Sequence, residues 1–225
     1  MGGRSEPIGF VVAAQRGRRG VSPGRIALLT VALLFVVTLA LAPWSELRGV
    51  VREEVAEVRI ARLSAELRTA GEEFGLDPYL LGALAFHESS GRVDAVSSVD
   101  ALGLVQLKLE TARERARVLG IAEPDRDDLL EDARLNLRLG AAYLAYLLRR
   151  QDGSLERALM AYNAGPTKFN RWLRDAGGYD AWRAARDAEG PVPYTSVRAF
   201  SARVIATAED FRAIGLLEPE SEGTD

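Results

Sequence analysis

Asp77-Pro78-Tyr79-Leu80-Leu81-Gly82-Ala83-Leu84-Ala85-Phe86-His87-Glu88-Ser89-Ser90 is the stretch on which the fold turns. Asp77 supplies a side-chain oxygen for an exposed helix start, and Pro78 fits a first helical position because it needs no hydrogen-bond partner. The pair predicts a helix from Pro78 to about Ser90. Leu81, Leu84, Ala85 and Glu88 stand at i, i+3, i+4 and i+7, so they share one face, and that face is otherwise apolar. Burial disfavours the charged form of a carboxyl. The negative end of the helix dipole in the last turn does the same. Both push the Glu88 proton toward staying on near neutral pH, as a general acid requires. The helix geometry alone also allows Glu88 to tilt to solvent or to pair with an arginine.

The helical period continues outward. Thr111–Leu119 is short and charged. Asp132–Arg150 is long, with Leu135, Leu139, Ala142, Tyr143, Tyr146 and Leu147 on one stripe. Ser154 caps a helix through Leu155, Leu159 and Tyr162, which Gly165-Pro166 ends. Thr167–Ala176 forms another, Gly190-Pro191-Val192-Pro193 a rigid loop, and Ser196–Ile214 a last amphipathic helix. No alternating run of useful length points to a strand, so a compact bundle of helices is expected.

On the amino-terminal side, residues 26–42 read IALLTVALLFVVTLALA without a charge. As a helix they span ~26 Å, just short of a ~30 Å hydrocarbon core. Arg16, Arg18, Arg19 and Arg25 precede this stretch and Trp44 follows it, which favours a transmembrane anchor with the amino terminus inside. The alternative is a cleaved signal peptide ending at Ala40-Leu41-Ala42, although Pro43 stands directly after that site. The expected organisation is a cytoplasmic tail over 1–25, the anchor over 26–42, a helical stalk over 43–69, a catalytic domain over 70–217 and an acidic, disordered tail over 218–225.

Composition removes several chemistries. The chain has 225 residues, no cysteine, one histidine and a net charge of −3. It therefore lacks a thiol nucleophile, a thiolate metal site and a disulfide framework. His87 alone argues against a multi-histidine metal site or a serine–histidine–aspartate triad elsewhere. The charge gives no pull toward nucleic acid, and no cofactor or metal is expected.

The motifs around Glu88 resemble those of the soluble-lytic-transglycosylase-like family, relatives of goose-type lysozyme. Glu88-Ser89 is followed by Ala95-Val96-Ser97, by Gly103-Leu104-Val105-Gln106-Leu107, and later by Ala161-Tyr162-Asn163-Ala164-Gly165. Asn136, Gly140, Tyr143 and Leu144 match a helix element between them. The resemblance covers about residues 70–210. It implies an all-α, lysozyme-like bundle, here preceded by the transmembrane helix and stalk. It implies a lyase that cuts peptidoglycan glycan strands between N-acetylmuramic acid and N-acetylglucosamine, leaving a 1,6-anhydro product. Glu88 would be the single acid–base. Ser97, Gln106, Tyr162 and Asn163 would bind the sugar, although each also has a packing or capping reading. His87 points off the face of the acid.

The chain departs from the family at Asp100, where glycine is common, at Lys108 and Leu109, and at Ser196 and Phe200, where many members carry glutamate and tyrosine around the retained Arg198. Lys108 could meet a muramyl or peptide carboxylate, or solvent. Two other readings stay open: a lysozyme-type hydrolase using Asp94 or Asp100, and a wall-binding scaffold without turnover. Expected partners are glycan strands, the cytoplasmic membrane through the amino-terminal helix, and wall-remodelling or secretion proteins. The catalytic domain would face the periplasm.

Overall fold

A computed structural model of the chain describes residues 31–34, 37, 44–189 and 194–218. Helix α1 covers Trp44–Ala61, α2 Ser64–Phe74 and α3 Pro78–Ser89. Two short strands follow, β1 Ala101–Leu102 and β2 Leu107–Lys108. Then come α4 Leu109–Leu119, α5 Arg126–Glu131, α6 Ala133–Arg150, α7 Leu155–Ala164, α8 Pro166–Ala176, α9 Tyr179–Glu189 and α10 Tyr194–Ala213. One compact unit runs from Arg48 onward.

Local chemistry sets most of these boundaries. The Asp77 carboxylate accepts from the Tyr79 amide at 3.0 Å and opens α3. Asp132 does the same for Leu135 at the head of α6 (2.9 Å), and Ser154 for Arg157 at the head of α7 (3.4 Å). At the far end of α3, Ser90 turns left-handed, with φ 56°. The Ser90 and Gly91 amides close on Phe86 and Ala85 carbonyls at 2.9 and 3.3 Å, which stops the helix just past Glu88.

Helix α3 is the axle of the fold. Leu80, Leu81, Ala83, Leu84 and Ala85 are all buried. Helix α10 packs along it, with Phe86 and Phe211 edge to face at 5.5 Å, and continues onto α7. His87 turns toward α10, where its Nε2 lies 2.8 Å from the Thr207 hydroxyl. Phe200, the departure from the family in this helix, is buried in the core. On the other side of α3, Ile60 of α1 and Leu67 of α2 are fully buried. Small residues allow that approach. A Cβ at Gly82 would lie 3.1 Å from the Ile60 side chain, and one at Gly91 2.8 Å from the Arg59 Cβ.

Two fold expectations are corrected. The chain is mostly helical rather than all-α. The strands pair antiparallel, Ala101 with Lys108 and Leu102 with Leu107, into a two-stranded hairpin. Strands of two residues are too short to show an alternating pattern. The membrane-spanning helix is not found: among the described residues no helix is long and apolar enough to cross a membrane. Within 26–42, residues 31–34 and Val37 are helical and exposed, and the remainder lies outside the described residues. The expected single-pass anchor, and a membrane partner through it, are therefore not supported by the described residues. The expected tail at 1–25 and the loop at 190–193 lie outside the described residues, as does the acidic tail expected at 218–225 except for Glu218, which accepts from the Tyr79 hydroxyl at 2.9 Å.

Candidate active site

Between α3, the hairpin and α7 the chain encloses a cavity of about 440 Å³. Glu88, Ser97, Gln106, Tyr162 and Asn163 all line it, joined by Lys108 and Tyr143. In the sequence Tyr143 stands out only as a helix-motif residue, and its place on the wall follows from the inward stripe of α6. Beyond Glu88, Ser97 and Gln106 a second cavity of about 620 Å³ opens toward α1 and the loop after α3. The two cavities share those three side chains, so they form two arms of one groove with Glu88 at the junction.

Glu88 is half-buried on the last turn of α3, and burial pushes its carboxyl up to about 7. No ion pair or hydrogen bond holds it among the described residues. It is the only carboxylate among the described residues that line either arm. Ser89 stiffens the turn beneath it. Its hydroxyl donates to the Ala85 carbonyl at 3.0 Å and accepts from the Arg92 amide at 3.1 Å.

The hairpin wall is set by one buried polar side chain. Asn136, fully buried on α6, donates to the Leu102 and Leu129 carbonyls, both at 3.1 Å, and accepts from the Val105 amide at 3.1 Å. The loop lies so close that a Cβ at Gly103 would fall 2.1 Å from the Asn136 side chain. One at Gly140 would fall 2.3 Å from Val105. These contacts explain why asparagine and the two glycines stand where they do. Gln106 sits in the left-handed region at φ 52°. Its amide donates to the Ala95 and Gly103 carbonyls at 3.1 and 3.0 Å. Its side-chain oxygen makes no hydrogen bond among the described residues.

Ser97 is a turn residue as well as a wall residue: its hydroxyl accepts from the Ala101 amide at 3.0 Å. Tyr162 donates from its hydroxyl to the Val105 carbonyl at 2.7 Å, tying α7 to the hairpin loop. Burial first, and then the neighbouring Glu88 and Tyr143, raise the Tyr162 phenol well above its ordinary value, so it stays a neutral donor. Tyr143 packs against it with ring centres 5.3 Å apart, and burial pushes that phenol up to about 12. Asn163 is exposed at the rim, just before Gly165 turns with φ 82° into Pro166.

The two loop aspartates that could supply a second carboxylate stand elsewhere. Asp94 is exposed and lines neither arm. Asp100 adopts φ 60°, a conformation that suits glycine, and is ion-paired to Arg126.

Comparison with known proteins gives the family. Endo-type membrane-bound lytic murein transglycosylase A of Salmonella typhimurium and of Salmonella enteritidis is 42% identical over 80 residues, which is 35% of this chain and 39% of each relative. Lytic transglycosylase Slt of Pseudomonas aeruginosa superposes with a TM-score of 0.56 at 30% identity, covering 69% of this chain and 25% of that one. The 70-kDa soluble lytic transglycosylase of Escherichia coli gives 0.57 at 23% identity, over 67% and 24%, a likeness of fold. The chain thus spans well under half of the relatives it matches. The family model for the transglycosylase SLT domain matches residues 66–184, more than half of the chain, so the chain belongs to the transglycosylase SLT domain family.

Proposed function

We propose that the chain is a peptidoglycan lytic transglycosylase that cleaves the β-1,4 bond between N-acetylmuramic acid and N-acetylglucosamine, with Glu88 as its one acid–base. The carrying observation is a carboxyl held up to about 7 by burial, at the junction of a groove that offers no second carboxylate among its described lining residues. Glycosidases that use water or a protein nucleophile ordinarily need a pair of carboxylates across the bond. A groove with one carboxylate suits a reaction in which the sugar itself provides the nucleophile.

In the first half of the reaction the neutral Glu88 gives its proton to the glycosidic oxygen, and the bond from that oxygen to the muramyl C1 breaks. N-acetylglucosamine leaves as the alcohol, and the muramyl acetamido group stabilises the cationic C1. In the second half the C6 hydroxyl oxygen of the same muramyl residue attacks C1. Its proton passes to the Glu88 carboxylate, which restores the acid. A 1,6-anhydro ring results, and no water is consumed.

Ser97, Gln106, Tyr162 and Asn163 are proposed to contact the sugars on the hairpin side, through the free carbonyl of Gln106 and the amide of Asn163 above all. The groove continues past Glu88 in both directions, which suits cleavage within a strand. The substrate lies outside the cytoplasmic membrane, so the domain, taken to include 70–217, works on the extracytoplasmic side in wall remodelling.

The test is digestion of purified sacculi by the full chain, followed by mass spectrometry. Anhydro-muramyl ends are expected, with strands of intermediate length early in the digest. Reducing-end muramic acid without anhydro product would instead support the hydrolase. Intact glycan beside normal glycan binding would support a non-catalytic wall-binding module.

A further inference from the structure

Because no hydrogen bond or ion pair among the described residues holds Glu88, its aim depends on how the last turn of α3 is fixed. Ser89 is bonded within its own helix, to the Ala85 carbonyl at 3.0 Å. Arg59 of α1 reaches the Ser90 carbonyl at 3.3 Å, one residue past the helix end. His87 makes a third tie, and it crosses to another element: its Nε2 lies 2.8 Å from the Thr207 hydroxyl of α10. Among the described residues, His87 is the only side chain of 87–90 that hydrogen-bonds to a different helix.

Neighbouring residues on a helix are rotated by ~100°. A bond on His87 therefore fixes the rotation of the turn that carries Glu88 without occupying the groove. The ring is boxed in as well. Phe86 meets it edge to face at 5.2 Å, and Phe86 in turn meets Phe211 of α10 at 5.5 Å. His87 and Thr207 line a cavity of about 630 Å³ that shares no described lining residue with either arm of the groove. The other charged groups on its wall are Glu53 and Glu57 of α1 and Arg203 and Asp210 of α10. Burial first, and then Arg203, lower the imidazole from its ordinary value, while the Arg203 backbone acts the other way. The ring is thus neutral around pH 7, and the Thr207 hydroxyl, able to donate or accept, suits either ring tautomer.

We propose that His87 and Thr207 are positioning residues for Glu88: their hydrogen bond locks the last turn of α3 onto α10 and so holds the acid at its buried place between the two arms. The pair touches no sugar and transfers no proton. The assignment rests on the reading of Glu88 as the acid–base and extends it to what keeps that acid aimed. Without the bond the turn rotates outward and the carboxyl gains solvent. A misplaced acid lowers turnover without altering sugar affinity. A solvated carboxyl releases its proton more readily, so its titration midpoint falls toward the ordinary range.

The test compares full chains carrying Thr207→Val, which deletes the hydroxyl, and Thr207→Ser, which keeps it. Thr207→Ala is read beside them, because it deletes the hydroxyl without the second methyl of valine. One readout is the kinetics of anhydro-product release from soluble glycan strands. The other is carbon-13 NMR titration of the Glu88 carboxyl, assigned by its loss in Glu88→Gln, which needs no substrate. The valine and alanine chains are expected to lose roughly tenfold in kcat with KM unchanged. Their Glu88 midpoint should drop by roughly one pH unit. The serine chain should keep both within roughly twofold of the parent values.

A serine chain as impaired as the valine chain overturns the pair, because packing and not the hydrogen bond would then be responsible. So does a Glu88 midpoint that stays in place in folded valine and alanine chains, or a rise in KM with kcat intact, which would give α10 a part in shaping the groove instead. Valine and alanine chains that do not fold would make the bond a general support of the fold and overturn the pair as well. An unsubstituted chain without turnover, or one that leaves reducing-end muramic acid, overturns the transglycosylase reading. The carboxyl titration then still decides the positioning pair.

Discussion

The two arms of the groove meet at the same three side chains and are held by different forces. The hairpin arm hangs from Asn136, which satisfies three backbone groups in a fully buried place. Its shape depends on hydrogen-bond geometry that tolerates little change. The α1 arm rests on apolar contact of Ala56 and Ile60 with the α3 side, at Gly82 and Gly91, and Arg59 ties it to the end of α3 through the Ser90 carbonyl. One arm is therefore sensitive to the loss of a hydrogen bond, and the other to added volume at the contact of α1 with α3. Glu88 belongs to both, because each arm contributes to the burial that keeps its proton on.

The change with the largest expected effect acts at the junction. Glu88→Gln keeps the shape and removes the transferable proton. Its kcat should fall by about 10³, or ~4 kcal/mol of transition-state stabilisation, while glycan binding persists. Anhydro-product release measured on sacculi checks it, and a loss below tenfold would remove Glu88 from the chemistry. Next comes Asn136→Ala, which strands the Val105 amide and two carbonyls. A destabilisation of about 3 kcal/mol is expected in urea unfolding. A cost under 1 kcal/mol would show that the hairpin arm does not hang from this residue. Gly91→Ala attacks the other arm, forcing a Cβ at φ 70° onto Arg59. About 2 kcal/mol should be lost. Urea unfolding measures the loss, and a cost under about 0.5 kcal/mol would show that α1 does not depend on this close approach.

The same contrast separates what is legible in the sequence from what is not. Capping is local, so the starts of α3, α6 and α7 follow from Asp77, Asp132 and Ser154. Helix α5 is absent from the expected elements although it carries a signal, the reciprocal box between Asp125 and Asp128. Helix α9 is absent from them because its Trp182 is buried against Phe169 and Trp172, partners that only the fold supplies. The hairpin is invisible to periodicity. Its positive φ at Asp100 and Gln106 falls on residues that do not announce such a conformation.

The hairpin-arm residues stand in motifs, so Glu88, Ser97, Gln106, Tyr162 and Asn163 can be named together, and the fold gathers them on one wall. Arg52, Arg59 and Arg92 carry no motif. Their placement depends on how closely α1 approaches α3, and the available hint is a pair of glycines, Gly82 and Gly91, flanking the acid's turn.

The smallest expected effect concerns stability and tests whether burial between the arms is what holds the Glu88 proton. A carboxyl raised to about 7 in the folded chain, against an ordinary 4.5, binds its proton more tightly folded than unfolded. Between those values the native state carries the extra proton, so stability falls as pH rises through the window and levels off above it. Glutamine has nothing to ionise. Glu88→Gln should therefore match the unsubstituted chain below about pH 4.5 and exceed it by ~1 kcal/mol at pH 8, once solvent contact on the half-buried carboxyl is allowed for. Thermal melts should show the variant ahead by ~3 °C at pH 8 and level with the parent at pH 4. A gap that is equal at both pH values would mean that packing, not proton retention, separates the two proteins. A gap at pH 8 that vanishes when Gly91→Ala is added would trace the raised carboxyl to the α1 arm in particular. One that survives Gly91→Ala but not Asn136→Ala would trace it to the hairpin.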